Sequence, residues 1–175
     1  MSIRSRLSGA TRAVAKVLTP DPDTVASTDI LDTLKQEHDE VKALLAELVE
    51  AEAPAQRKGL VQQIKAALIP HTKAEEKVVY DAVIALRSSD AKIDGYEGYL
   101  EHEWASKTLQ RLGTFSNASS PQHRAAAKVL KELVEHHIEE EERNIWSDVK
   151  RHFSDRQRMR MNAAFEAAKS RVRIP

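Results

Sequence analysis

The chain has 175 residues, and its 27 basic and 27 acidic side chains give a formal net charge of zero. That length suits one compact domain with short extensions and a core that needs no covalent staple. Cysteine is absent, which excludes a disulfide framework, a thiolate zinc site, a cysteine-ligated iron–sulfur cluster and a catalytic cysteine. Charged residues make up 31% and hydrophobic ones 41%, with five glycines and six prolines, a helix-rich and soluble composition rather than a disordered one. The balanced charge gives no whole-chain argument for a nucleic-acid partner or an anionic membrane. No apolar run approaches the roughly 20 residues needed to span a bilayer, so a cytoplasmic location is expected.

Residues 1–18 carry Arg4, Arg6, Arg12 and Lys16 with no acid, and Ile3, Leu7, Ala10, Val14 and Val17 recur at helical spacing. This predicts a basic amphipathic helix. It lacks the continuous apolar centre of a secretory signal. Packing on its own bundle, or a partly frayed terminus, is the favoured reading, with a membrane surface or a partner protein as alternatives. The two prolines of Thr19-Pro20-Asp21-Pro22-Asp23 make residues 19–27 a linker.

From about Thr28 the pattern is helical throughout. Leu34, His38, Val41, Leu45 and Leu48 form the stripe of a first helix that ends near Glu52. Pro54 suits the first turn of a second, whose stripe is Leu60, Ile64, Ala67, His71, Glu75, Val78 and Ala82. Pro70 lies inside that pattern and predicts a bend between about Ala66 and Pro70, just before His71. Ser88-Ser89-Asp90 marks a turn, and Gly95 and Gly98 predict a loose start to a third helix that is secure from about Tyr96 to Leu112. Ser120-Pro121 opens a fourth helix with Leu130, Val134, His137, Glu141, Ile145 and Asp148 on one face, continuing to Phe153. Ser154 and Gln157 form a capping box for a last helix to about Arg171. No segment alternates with period two over strand length, so no sheet is expected. The predicted fold is all-α: an up-down-up-down four-helix bundle over residues 28–153, an extra N-terminal helix, and a short C-terminal helix over residues 154–175.

An internal repeat carries the chemistry. The first helix reads Glu37-His38 and the third Glu101-His102. The second reads His71-x-x-x-Glu75-Glu76-x-x-x-Tyr80 and the fourth His137-x-x-x-Glu141-Glu142-x-x-x-Trp146. The first and second histidines are 33 residues apart, the third and fourth 35. The chain thus repeats one helical hairpin. Side chains at i and i+4 share a helix face, so His71 with Glu75, and His137 with Glu141, present a nitrogen and an oxygen to one small volume. Four helices converging there build a cage of four imidazoles and two carboxylates, which suits two cations if each carboxylate bridges them. Nitrogen and oxygen donors without sulfur suit iron or manganese, with zinc a third candidate. A lone histidine on an apolar stripe is more often a satisfied core residue than a ligand. Four of them with two matched glutamates are hard to assign to packing. His136, His123 and His152 are expected to face solvent, and Glu142 is the alternative to Glu141.

These residues, in this order, resemble the hemerythrin-like HHE cation-binding domain. The resemblance implies a four-helix bundle around a non-haem di-iron (Fe–O–Fe) centre, with His38, His71, Glu75, His102, His137 and Glu141 as ligands and the two glutamates bridging. Oxygen-carrying hemerythrins have a further histidine where this chain has Ser106, and an aspartate where it has Glu142. Those departures argue against simple reversible oxygen carriage. Coordination counting leaves about two open positions on the two irons, with Tyr99 expected to pack beside the site rather than ligate. The expected function is binding of dioxygen or nitric oxide for sensing, storage or scavenging. A peroxide-decomposing enzyme and an iron-handling protein are the alternatives. About 20 residues follow the bundle, too few for an output domain, so sensing would pass through a protein partner at the terminal helices.

Overall fold

A computed structural model describes residues 28–174; the predicted N-terminal helix and linker (1–18 and 19–27) lie outside them. The described residues form helices α1 (Ile30–Glu50), α2 (Pro54–Glu75), α3 (Asp81–Ile84), α4 (Ser89–Thr114), α5 (Pro121–Arg143), α6 (Ile145–His152) and α7 (Asp155–Lys169). A π-helical turn, Glu76–Tyr80, joins α2 to α3. No strand occurs among the described residues. None of the helices is long and apolar enough to cross a membrane.

Local chemistry sets most boundaries. Asp29 caps α1 by accepting from the Leu31 amide, Pro54 and Pro121 sit in the first turns of α2 and α5, and the Ser154–Gln157 capping box opens α7. Helix α2 continues through Pro70 to Glu75, with Leu68, His71 and Ala74 buried around the proline. Three expectations change. The departure from α geometry comes later, at Glu76–Tyr80, where the π turn adds one residue. It rotates the buried face from the expected Val78 and Ala82 to Val79, Tyr80 and Val83. The third helix is not loose at its start. Ser88 caps it at the Ala91 amide, and Gly95 and Gly98 are buried positions against Ile84 and Tyr80. Finally, the fourth helix is interrupted at Asn144 (φ −96°, ψ −64°), which separates α5 from α6.

α1 packs on α2 and α5, and α4 packs on α5 and α2; α7 lies against α1, α2 and the π turn. The interior has two apolar layers. One is built around Leu45, Ile64, Leu109 and Leu130, the other around Leu34, Val79, Ile145 and Phe165. Arg57, fully buried in the first layer's end, donates to the carbonyls of Leu48, Ala51 and Ala118. It thereby satisfies carbonyls at the end of α1 that the helix itself cannot. Its guanidinium also meets His123 Nδ1 at 3.2 Å. His123 is therefore buried, at 1% exposure, and not solvent-facing as its sequence neighbours suggested. His136 and His152 are exposed as expected.

Candidate metal centre

Between the two apolar layers lies a polar one. His38 follows Leu34 and precedes Val41, His71 sits between Leu68 and Ala74, His102 precedes Ala105, and His137 lies between Val134 and Ile145. Each histidine thus occupies the level at which one layer gives way to the other. His38, His71, His102 and His137 are 1%, 5%, 3% and 7% exposed, and Glu75 and Glu141 are 0% and 2%.

The six side chains converge. Glu75 Oε2 lies 3.1 Å from His71 Nε2 and 3.6 Å from His102 Nε2. Glu141 Oε2 lies 3.5 Å from both His137 Nε2 and His38 Nε2. Each carboxylate therefore reaches from its own helix to a histidine of the opposite hairpin. His102 Nε2 and His137 Nε2 are 3.0 Å apart. Donor atoms of His38, His71 and Glu75 form one group within 4.8 Å, and those of Glu75, His102 and His137 form a second that shares the glutamate. A third group, Glu101, His136 and Glu140, stands at the surface, where clustered acids are ordinary.

The outer nitrogens show a second regularity. His38 Nδ1 meets Glu142 at 3.1 Å, His71 Nδ1 meets Glu37 at 2.9 Å, and His137 Nδ1 meets Glu101 at 2.6 Å. His102 Nδ1 faces Glu76 at 3.4 Å. Every imidazole thus turns Nδ1 to a carboxylate on another helix and Nε2 inward. Such pairs fix the tautomer and raise the basicity of the inward nitrogen. Glu142 therefore belongs to His38's outer side and is not the inward acid. Sequence reasoning left Glu37, Glu76 and Glu101 without roles. Their signal was the acid adjoining His38, His102, Glu75 and Glu141 in the repeat, Glu-His twice and Glu-Glu twice. Tyr80 was also missed: it is fully buried, and its hydroxyl is 3.2 Å from both His102 Nε2 and His137 Nε2. Tyr99 packs away from the cage, its hydroxyl donating to the Glu76 carbonyl and to Asp81.

Electrostatics mark the site as built for added positive charge. Burial pushes Glu141 well above the usual carboxylate range, and the Glu75 charge adds to this. Burial acts the same way on Glu75, but His71 outweighs it and holds that carboxyl well below the usual range. Burial pushes His38 and His102 down to about 4. It opposes protonation of His71 too, yet Glu75 and Glu37 raise that group to about 9. His38 Nε2 and all four oxygens of Glu75 and Glu141 have no hydrogen-bond partner. Buried carboxylate oxygens without partners are costly, and a cation pair would satisfy them while releasing protons. The donor set therefore fits a two-metal centre.

Residues 29–147 match the hemerythrin HHE cation-binding domain. The chain belongs to the hemerythrin HHE family. Across 170 residues, 97% of its length, this HHE chain is also 26% identical to a protein named DNA nickase from Nostoc sp. (strain PCC 7120). It spans about half of that relative, 47% of its length. No solved structure matches.

Proposed function

We propose that this HHE protein holds two iron ions with His38, His71, Glu75, His102, His137 and Glu141, Glu75 and Glu141 bridging, and uses them to bind dioxygen or nitric oxide in the cytoplasm for sensing, storage or scavenging. The observation that carries the reading is the unpartnered oxygens of Glu75 and Glu141, each aimed between histidines of both hairpins. Manganese or zinc would satisfy the same donors; redox chemistry with a diatomic ligand selects iron. Bound there, iron supplies a Lewis-acidic, redox-active position for a small ligand. The protein's own part is to orient and to exclude water. Glu142, Glu37 and Glu101 hold the imidazoles of His38, His71 and His137 by hydrogen bonds, and Glu76 faces that of His102. Val41, Leu68, Ala105, Val134 and Ile138 wall a narrow apolar cleft against the histidines, suited to a diatomic ligand rather than a large polar substrate.

In this reading α1, α2, α4 and α5 run up-down-up-down as one domain over residues 28–153, with residues 154–175 attached. The attachment is also the route to a protein partner. Phe165 of α7 stands edge-on to His71 at 5.9 Å, and Lys169 pairs with Glu37, the carboxylate that holds His71. A change at His71 would thus be felt in the terminal helix.

The test is ferrous loading without oxygen, followed by optical spectra before and after adding dioxygen, nitric oxide and peroxide. Stoichiometric spectral change with the diatomic ligands supports binding. Sustained peroxide consumption with no such change moves the protein to the enzymatic alternative. A second reading, favoured by the name of the Nostoc relative, is metal-dependent nicking of DNA. Relaxation of a supercoiled plasmid by iron-loaded protein, absent in His137→Ala, would establish it. The balanced net charge of the chain gives no whole-chain attraction to that substrate.

A further inference from the structure

We propose that Tyr80 is an additional metal ligand, binding iron through its phenolate oxygen at the His102/His137 end alone. This rests on the metal reading above and assigns a ligand that the four-His, two-Glu set does not contain.

Three donor atoms stand together there. His102 Nε2 and His137 Nε2 are 3.0 Å apart, and the Tyr80 oxygen is 3.2 Å from each. Nitrogen and oxygen ligands sit about 2.0–2.2 Å from a first-row metal. Two such ligands at a right angle are then separated by about 3.0 Å, the metal–ligand length multiplied by the square root of two. The three atoms are therefore spaced as one triangular face of an octahedron. Glu75 and Glu141 stand beyond that triangle, 3.6 Å and 3.5 Å from the two nitrogens.

The phenol is held in place. The π turn carries Tyr80 inward, and the absence of a side chain at Gly98 makes room for it. A Cβ on Gly98 would lie 2.8 Å from two carbons of the Tyr80 ring and 3.1 Å from its oxygen. Tyr99 also packs on the Tyr80 ring edge-on, with centroids 5.6 Å apart.

The repeat explains why one end alone is so equipped. Tyr80 follows His71 by nine residues, and Trp146 follows His137 by nine. Trp146 stacks on His38, with centroids 5.8 Å apart and planes 15° apart, and it brings no oxygen. The His38/His71 end thus keeps its position for an incoming ligand, while the His102/His137 end is closed by protein. On ligation the phenol O–H bond breaks, an iron–oxygen bond forms and the proton leaves to solvent; no electron is transferred.

The test uses the full chain, loaded with ferrous iron without oxygen and oxidised with ferricyanide, which takes one electron per iron. Iron content, visible absorption and resonance Raman spectra are recorded for the parent, Tyr80→Phe and Tyr99→Phe. The chain has three tyrosines, so assignment is direct. The parent and Tyr99→Phe should show a phenolate-to-iron charge-transfer band with tyrosinate ring modes. Tyr80→Phe should keep its iron and lose both signals. Two irons in the parent without that band, or a band that survives in Tyr80→Phe, overturns the proposal and leaves the metal centre standing. Failure of the parent to take up iron overturns both. Should Tyr80→Phe not fold, the parent spectrum still decides, because a ferric parent lacking the band refutes ligation.

Discussion

Glu101→Gln isolates what the outer carboxylates contribute. Glu101 Oε2 accepts from His137 Nδ1 at 2.6 Å, a short charge-assisted bond. The substitution keeps the side chain's size and an acceptor oxygen while removing the charge. Outer partners of metal-bound histidines are worth about 10–100-fold in affinity. The Glu101 side chain is 20% exposed, so water screens part of its field, which places the loss near the lower end, about tenfold or 1.4 kcal/mol. The assay is a competition titration of ferrous iron against a chelator, fitted to two sites. One site should weaken about tenfold, while the site at His38 and His71, whose outer partners are Glu142 and Glu37, keeps its affinity. Glu103→Gln, on the exposed face of the same helix, serves as the control and should titrate like the parent. If Glu101→Gln also titrates like the parent, the outer carboxylate does not support the metal and the reasoning fails.

Three further outcomes follow from the geometry. His137→Ala should lose most of the bound metal and His136→Ala almost none, since His137 faces inward and His136 is exposed; equal losses in a metal assay would contradict the assigned face. Gly98→Ala forces a Cβ to within 2.8 Å of the Tyr80 ring, and overpacking of this kind costs about 1–3 kcal/mol, so the metal-free protein should melt at lower temperature. An unchanged melting temperature would show that Tyr80 yields freely. Burial and Arg57 lower the pKa of His123 below its ordinary value. As pH falls through about 6.5, the unfolded chain takes up this proton before the folded one does, and stability drops. His123→Gln should remove that part of the decline in melts run from neutral to mildly acidic pH. Parallel profiles for the two proteins would refute the assignment.

Much of the site was legible because its chemistry follows helix periodicity. Histidine on an apolar stripe, with glutamate one turn on, places both on a buried face whatever the details of packing, and all six named residues are buried. Features that depend on contacts between helices were hidden. His123 reads as polar in its own helix and is buried only because Arg57 from α2 meets it at the bundle's end. The π turn was invisible to a stripe drawn with a fixed 3.6-residue period, so Val78 and Ala82 were expected where Val79, Tyr80 and Val83 are buried. Gly98 read as a weak point because glycine disfavours helix; its use lies in what Tyr80 needs from across the interface. The hairpins differ at the cage by Tyr80 in one and Trp146 in the other, both present in the repeat and neither given a role.

The central claim is that His38, His71, Glu75, His102, His137 and Glu141 together hold a pair of cations. Elemental analysis of the protein after ferrous loading without oxygen and removal of loosely bound metal tests it most directly. Two iron ions per chain are expected, falling sharply in Glu75→Ala because that carboxylate serves both ends. One ion or none per chain in the parent would contradict it.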